Sequence, residues 1–325
     1  MTPIVAADIG GTHARFAIAT LDGKSVAALG EAVTLKTGEH ASFETAWEEF
    51  KRLSGGALPD ALAMAVAGPA AGELLQLTNN PWVIRPALLR ETLAAGGLTV
   101  VNDFGAVAHA VAALDGAAFQ AVCGPDRPLP EDGVITILGP GTGLGVAALL
   151  RRRDGSYDAI ETEGGHVDFA PLDSLEDRIL AHLRKNFRRV SVERLISGRG
   201  LMNIYESLGA IEGQPLAIRD DKSLWAAALA GSDSLAAAAL ERFCLCLGAV
   251  AGDMALAQGA GAVVIGGGVG LRLADHLPRS GFASRFIAKG RFERRMADLP
   301  VKLITHPQPG LLGAAAAFAQ SHAPA

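Results

Sequence analysis

At 325 residues, the chain has room for about two domains of roughly 150 residues each. Half of it is hydrophobic, yet no uninterrupted apolar run of about 20 residues occurs, which argues against a membrane span. Its net charge of −5 is dispersed, which argues against a nucleic-acid surface.

The start, MTPIVAADIGG, enters a strand-like run at once and has no basic region followed by an apolar segment and a cleavage site. A cytoplasmic protein is therefore expected. Three strands in meander order follow, at Ile4–Ala7, Ala14–Ala19 and Ala32–Thr37, with the Asp22-Gly23 turn favouring a hairpin. A helix is expected over Phe43–Leu53, a buried strand over Ala61–Val66 and a short helix over Pro86–Ala95. A strand at Leu98–Val101 then delivers Asn102-Asp103 at its carboxyl end, where open α/β sheets place ligands. From Val134 the pattern restarts with hairpin strands, a basic turn at Arg151–Arg153 that reads as a solvated hairpin end, and a helix-rich block from Leu175 to Gln258. In that block Gly248 and Gly252 are spaced for close backbone packing. A short strand Ala262–Ile265, a basic stretch Lys289–Arg295, a strand Val301–Ile304 and an Ala-rich helix from Gly313 to Gln320 complete the chain. Cys123, Cys244 and Cys246 lack zinc-like spacing and read as buried reduced thiols.

One segment is written twice. Ile4–Gly23 and Val134–Gly155 each hold an apolar run, a Gly-Thr loop, a second apolar run and an Asp-Gly turn, and aligning the loops sets Asp8 opposite Leu138. Two glycine-rich bends, Gly10-Gly11-Thr12 and Gly139 to Gly145 with Gly141, Thr142 and Gly143, can turn backbone N–H groups onto phosphate. A single such bend is as often an ordinary hairpin; a pair favours a polyphosphate. Asp8 beside phosphates implies Mg²⁺, held directly or through water. Neither loop matches the Walker or the dinucleotide pattern. Asp103 can serve as a base toward a hydroxyl, or as a helix cap. Glu161-Thr162-Glu163-Gly164-Gly165-His166-Val167-Asp168 gathers donors and acceptors suited to several hydroxyls, or is a charged surface turn; a metal held by His166 with Glu163 lacks a third ligand at motif spacing. By spacing alone, Glu193 is an exposed helix acid.

Together with Ile265-Gly266-Gly267-Gly268 and Pro309-Gly310-Leu311-Leu312-Gly313, these motifs, taken in order, resemble the bacterial ATP-dependent glucokinases of the hexokinase, Hsp70 and actin-like superfamily. The resemblance spans essentially the whole chain. It implies an α/β fold of two ribonuclease H-like (actin-like ATPase) domains with a cleft between them, expected at 1–104 plus 300–325 and at 105–299. It implies transfer of the γ-phosphoryl group of MgATP to the primary hydroxyl of glucose, the first step of glycolysis. Asp103 matches the family's general base. Asn102, Glu163, His166 and Glu193 match its sugar contacts, Gly10–Thr12 and Gly139–Gly143 its phosphate contacts, and Gly266, Gly267 and Gly268 its adenosine side. His13 stands where many relatives have Asn, and Arg199 where the family usually has Pro. The Cys-rich zinc motif of the neighbouring repressor-and-kinase group is missing.

A kinase for another hexose or an amino sugar is the enzyme rival, and an actin- or Hsp70-like nucleotide switch is the rival of a different class. Asn102-Asp103 with Glu163-Gly164-Gly165-His166 favours a sugar site. No motif fixes the oligomeric state, and a homodimer stays open.

Overall fold

The computed structural model describes residues 1–77 and 80–322. In chain order the first strands are β1 (Thr2–Ile9), β2 (His13–Asp22), β3 (Ser25–Leu29) and β4 (Val33–Lys36). Helix α1 (Phe43–Leu53) leads to β5 (Ala61–Val66), the two-residue strands β6 (Leu75–Gln76) and β7 (Val83–Ile84), α2 (Pro86–Thr92), β8 (Gly97–Asn102) and α3 (Asp103–Ala113). The second series runs β9 (Phe119–Cys123), β10 (Gly133–Pro140), β11 (Leu144–Arg151), β12 (Tyr157–Thr162), α4 (Ser174–Leu183), α5 (Gly200–Glu212), α6 (Asp221–Ala230) and α7 (Ser234–Gln258). It closes with β13 (Ala262–Ile265), α8 (Gly267–Arg272), α9 (Phe282–Ile287), α10 (Glu293–Ala297), β14 (Val301–Ile304) and α11 (Pro309–His322).

The chain divides into two compact units, Met1–Asp115 with Ala159–Glu161 and His306–Ala325, and Gly116–Asp158 with Thr162–Thr305. The division falls after α3 and again at His306, where the expected boundaries lie at 104/105, inside α3, and at 299/300. Each unit has a mixed sheet of the same plan: β3-β2-β1-β5-β8 in one and β12-β11-β10-β13-β14 in the other, the latter extended by β9. In both, an antiparallel hairpin, β1 with β2 or β10 with β11, is followed by parallel strands added beside its first member. The doubled sequence pattern is therefore a doubled fold, two ribonuclease H-like α/β domains.

Strand alternation sets the faces of the first sheet. Val5, Ala7 and Ile9 of β1 with Leu62, Met64 and Val66 of β5 pack on Phe43, Trp47 and Phe50 of α1. The opposite face carries Ala6, Ala63 and Ala65, and there α11 lays Leu311, Ala314, Ala315 and Phe318. Alanines on that side let the helices come close. A Cβ on Gly313 of α11 would lie 1.7 Å from the Ala106 carbonyl oxygen of α3, so this residue must be Gly.

In the second unit α7 is the central core helix, burying Leu240, Phe243, Cys244, Cys246 and Leu247. It is long and apolar enough to cross a bilayer, but 72% of its most apolar window is buried within the protein. Gly248 and Gly252 admit α9, since a Cβ on Gly248 would sit 2.2 Å from the Phe282 carbonyl oxygen and one on Gly252 would sit 2.7 Å from that of Phe286. The three thiols are free, and burial pushes Cys123 and Cys244 up to about 12. Glu176, 2% exposed, receives Arg242 at 2.7 Å and Arg285 at 3.4 Å, tying α4, α7 and α9 together.

Five strands escape the sequence reading: Ser25–Leu29, the two-residue Leu75–Gln76 and Val83–Ile84, Phe119–Cys123 and Tyr157–Thr162. Ser25–Leu29 is short and mostly exposed, so it lacks the apolar alternation of a core strand. Phe119–Cys123 is a half-buried edge strand whose partner, β14, lies far along the chain.

Candidate active site

The first unit brings its chemistry to the carboxyl ends of three parallel strands. Ile9 is in register with Val66, and Val66 with Asn102, so Asp8, the loop after β1 and Asn102-Asp103 share one end of the sheet. The loop is a tight turn closed by Gly10 N–H donating to the His13 carbonyl at 2.9 Å. All of its carbonyls are engaged: Gly10 by Asn80 Nδ2, Gly11 by Thr37 Oγ1 and Thr12 by Thr37 N–H. Among the described residues, the N–H groups of Gly11 and Thr12 have no such partner. A loop with its acceptors occupied and two adjacent donors open has the polarity of an anion nest. His13 Nδ1 lies 3.0 Å from Thr12 Oγ1.

Asp8 is held by Arg15 Nη1 at 3.2 Å. Burial raises the Asp8 carboxyl above the usual range, and Arg15 partly offsets it. Sequence reasoning passed over Arg15, although the hairpin register, which sets Asp8 opposite Arg15, predicts the pair. A Cβ on Gly310 at the start of α11 would be 2.8 Å from the Asp8 carboxylate, which explains the Pro-Gly that opens this helix.

At the start of α3, the cap is Asn102, not Asp103. Its side-chain oxygen accepts from Phe104 N–H at 2.9 Å and Gly105 N–H at 3.2 Å, while Nδ2 donates to the Gly68 carbonyl at 3.0 Å. Asp103 occupies the first helical position, with Oδ1 2.9 Å from its neighbour's amide, Phe104 N–H. A carboxylate in a helix first turn is stabilised by the open N–H groups there. Glu161 also comes to this junction, accepting from Asn102 N–H at 2.7 Å. Nothing in the sequence spacing of Glu161 signals this bond.

The second unit gathers the other residues. Gly164 and Gly165 form a 3-10 turn against β11 so tight that a Cβ on Gly165 would stand 2.0 Å from the Leu144 carbonyl oxygen. This turn sets Glu163 and His166 side by side, Oε2 to Nε2 3.9 Å, both largely exposed. The following residues run against 190–192, through Val192 N–H to the Val167 carbonyl and Phe169 N–H to the Val190 carbonyl. Glu193 thereby joins the group, and its Oε2 accepts from Leu144 N–H at 2.9 Å, directly after Gly143.

Gly141 closes its own turn onto the Gly143 carbonyl at 2.8 Å and accepts from Gly198 N–H at 2.7 Å. Among the described residues, the N–H groups of Thr142 and Gly143 have no partner, repeating the polarity of the first loop. Gly266–Gly268 lies directly behind: a Cβ on Gly139 would be 2.4 Å from the Gly266 carbonyl, and one on Gly267 2.4 Å from that of Pro140. The loop holding Arg199 is fixed by Trp225 Nε1 to the Gly198 carbonyl at 3.1 Å and by Arg199 to Asp221 at 3.3 Å. These anchors stand in for the rigidity that Pro would give.

Residues 5–321 match the glucokinase family. The chain is 66% identical to the glucokinase of Zymomonas mobilis over 319 residues, covering 98% of each chain. The chain belongs to the glucokinase family. Among solved structures it is similar to a glucokinase from an Antarctic psychrotroph, with a TM-score of 0.83 and 34% identity over 97% of this chain and 98% of that one. A glucokinase of Balamuthia mandrillaris solved with glucose shares the fold, with a TM-score of 0.79 at 22% identity over 98% of this chain and 94% of that one.

Among the described residues no three His, Cys, Asp or Glu side chains form a metal-holding group. A single carboxylate, Asp8, beside an anion nest still fits Mg²⁺, which keeps most of its waters and binds through one or two carboxylates plus substrate phosphates.

Proposed function

We propose that the chain phosphorylates glucose with ATP, and that Asp103 is its general base. The observation that carries the reading is the occurrence, in one family member, of two loops with open backbone donors alongside a carboxylate seated on a helix first turn. Phosphoryl transfer requires little covalent work from the protein, so positioning and charge stabilisation dominate.

In this reading the amides of Gly11, Thr12, Thr142 and Gly143 cradle phosphate oxygens, and Gly266–Gly268 borders the adenosine. Asn102, Glu163, His166 and Glu193 hold sugar hydroxyls, and Asp103 orients the primary hydroxyl and accepts its proton. Asn102 has most of its hydrogen-bonding capacity committed to the cap and to Gly68, so its second role is to hold the α3 start rigid. Mg²⁺, held by Asp8 directly or through water, neutralises phosphate charge. Arg15 then competes with the metal for Asp8. The setting is cytoplasmic, at the entry to glycolysis.

The test is a coupled assay of ADP formation over a small hexose panel. Glucose-dependent turnover is expected, with little ADP formed in the absence of sugar. Sugar-independent ATP hydrolysis would reject the kinase reading in favour of a nucleotide switch.

A further inference from the structure

Two basic runs, Arg151–Arg153 and Lys289–Arg295, have no part in the reaction above. In the second unit they converge. Arg151 donates to the Pro130 carbonyl at 3.2 Å, and Arg153 pairs with Asp132 at 2.9 Å. Asp132 in turn lines an open cavity of about 720 Å³ whose other charged walls are Arg127, Arg291, Arg294, Arg295 and Asp298. Its floor is the entry to β10 and the residues just before β13. It therefore lies at the opposite ends of these strands from Gly139–Gly143 and Gly266, a separation on the order of 25 Å along β10.

The charge there is unbalanced. Arg127 is spent on the Asp298 backbone carbonyl at 2.7 Å, and Arg291 lies over the Phe292 ring. Among the described residues, Arg291, Arg294 and Arg295 have no ion pair. Asp132 is already neutralised by Arg153, which leaves Asp298 as the one opposing carboxylate on the wall. In a chain with net charge −5, residues 291–295 turn three guanidinium groups to the concavity, while Glu293 of the same segment is not part of its lining, and an anion there would offset their mutual repulsion. Guanidinium forks match phosphate oxygens in pairs, and the volume is that of small-molecule sites.

We infer that this cavity binds a small phosphorylated polyanion, at a site separate from the ATP loops. The experiment is hydrogen exchange and calorimetry at low salt with two probes, inorganic tripolyphosphate for a free polyphosphate chain and a hexose bisphosphate for phosphomonoesters. At least one probe should slow exchange over residues 288–299, and the responding probe identifies the source. In the double variant R294A/R295A, affinity for that probe should fall by about tenfold or more, while glucose and ATP kinetics without probe stay at wild-type values. Binding should also weaken as salt rises. No slowing at 288–299 with either probe, or wild-type affinity in the double variant, would overturn the inference.

Discussion

Gly139→Ala tests how the nucleotide loops are built. The added methyl would stand 2.4 Å from the Gly266 carbonyl and 2.9 Å from Gly267 N, against an ordinary carbon contact of about 3.5 Å or more. Both neighbours are backbone, so relief requires the two loops to part by roughly 1 Å, which strains the 2.9 Å bond from Gly266 N–H to the Leu138 carbonyl. Overpacking of this kind costs about 1–3 kcal/mol, and for a domain of this size that lowers Tm by roughly 2–12 °C. The displaced segments are those assigned to phosphate and adenosine, whereas Glu163, His166 and Asp103 sit on other elements. Steady-state kinetics should therefore show the KM for ATP raised about tenfold, with the KM for glucose within about twofold. Wild-type ATP kinetics in a variant that melts lower would refute the placement of the nucleotide on these loops.

Glu176→Ala removes one of the two acids shared by the half-buried Arg242 and Arg285, which keep Asp173 as a partner, a loss of about 1–3 kcal/mol measurable by denaturant unfolding. Burial lowers the His109 imidazole to about 4 from an ordinary 6.5. Above about pH 6.5 the folded and unfolded chains are both neutral there. Between 6.5 and 4 only the unfolded chain takes the proton, so stability is lost as the pH is lowered through this range, by up to about 3 kcal/mol. Unfolding free energies from pH 7 to 4.5 should show this slope, and His109→Gln should flatten it. Glu163→Ala should raise the glucose KM about tenfold or more, through hydroxyls left unpaired, with a smaller effect on kcat; an unchanged KM would remove Glu163 from the sugar site.

Much of the fold is legible because both domains use the same strand grammar. The buried strand Ala61–Val66 and the helix Phe43–Leu53 are found with the ends expected of them, since apolar run length and a Ser42 cap mark them locally. The Gly248 and Gly252 spacing also speaks for itself once α9 is seen against it. Contacts between distant residues are less legible. The Asp8–Arg15 pair follows from hairpin register and was open to inference, but Glu161 bonding to Asn102 joins positions 59 residues apart with no periodic signal. The cap at α3 shows how local chemistry can be misassigned by one residue. Asn and Asp are nearly equal as N-caps, so the pair Asn102-Asp103 left open which of the two residues caps the helix. In the structure Asn102 takes the cap.

That division of labour makes Asp103→Asn the most direct test of the central claim. The cap and the fold rest on Asn102, so the variant should melt close to wild type. If Asp103 accepts the proton of the primary hydroxyl, kcat should fall by about 10²–10⁴, while glucose binding measured by calorimetry stays within roughly tenfold, because Glu163, His166 and Glu193 remain. A folded Asp103→Asn protein that turns over glucose at the wild-type rate would contradict the account.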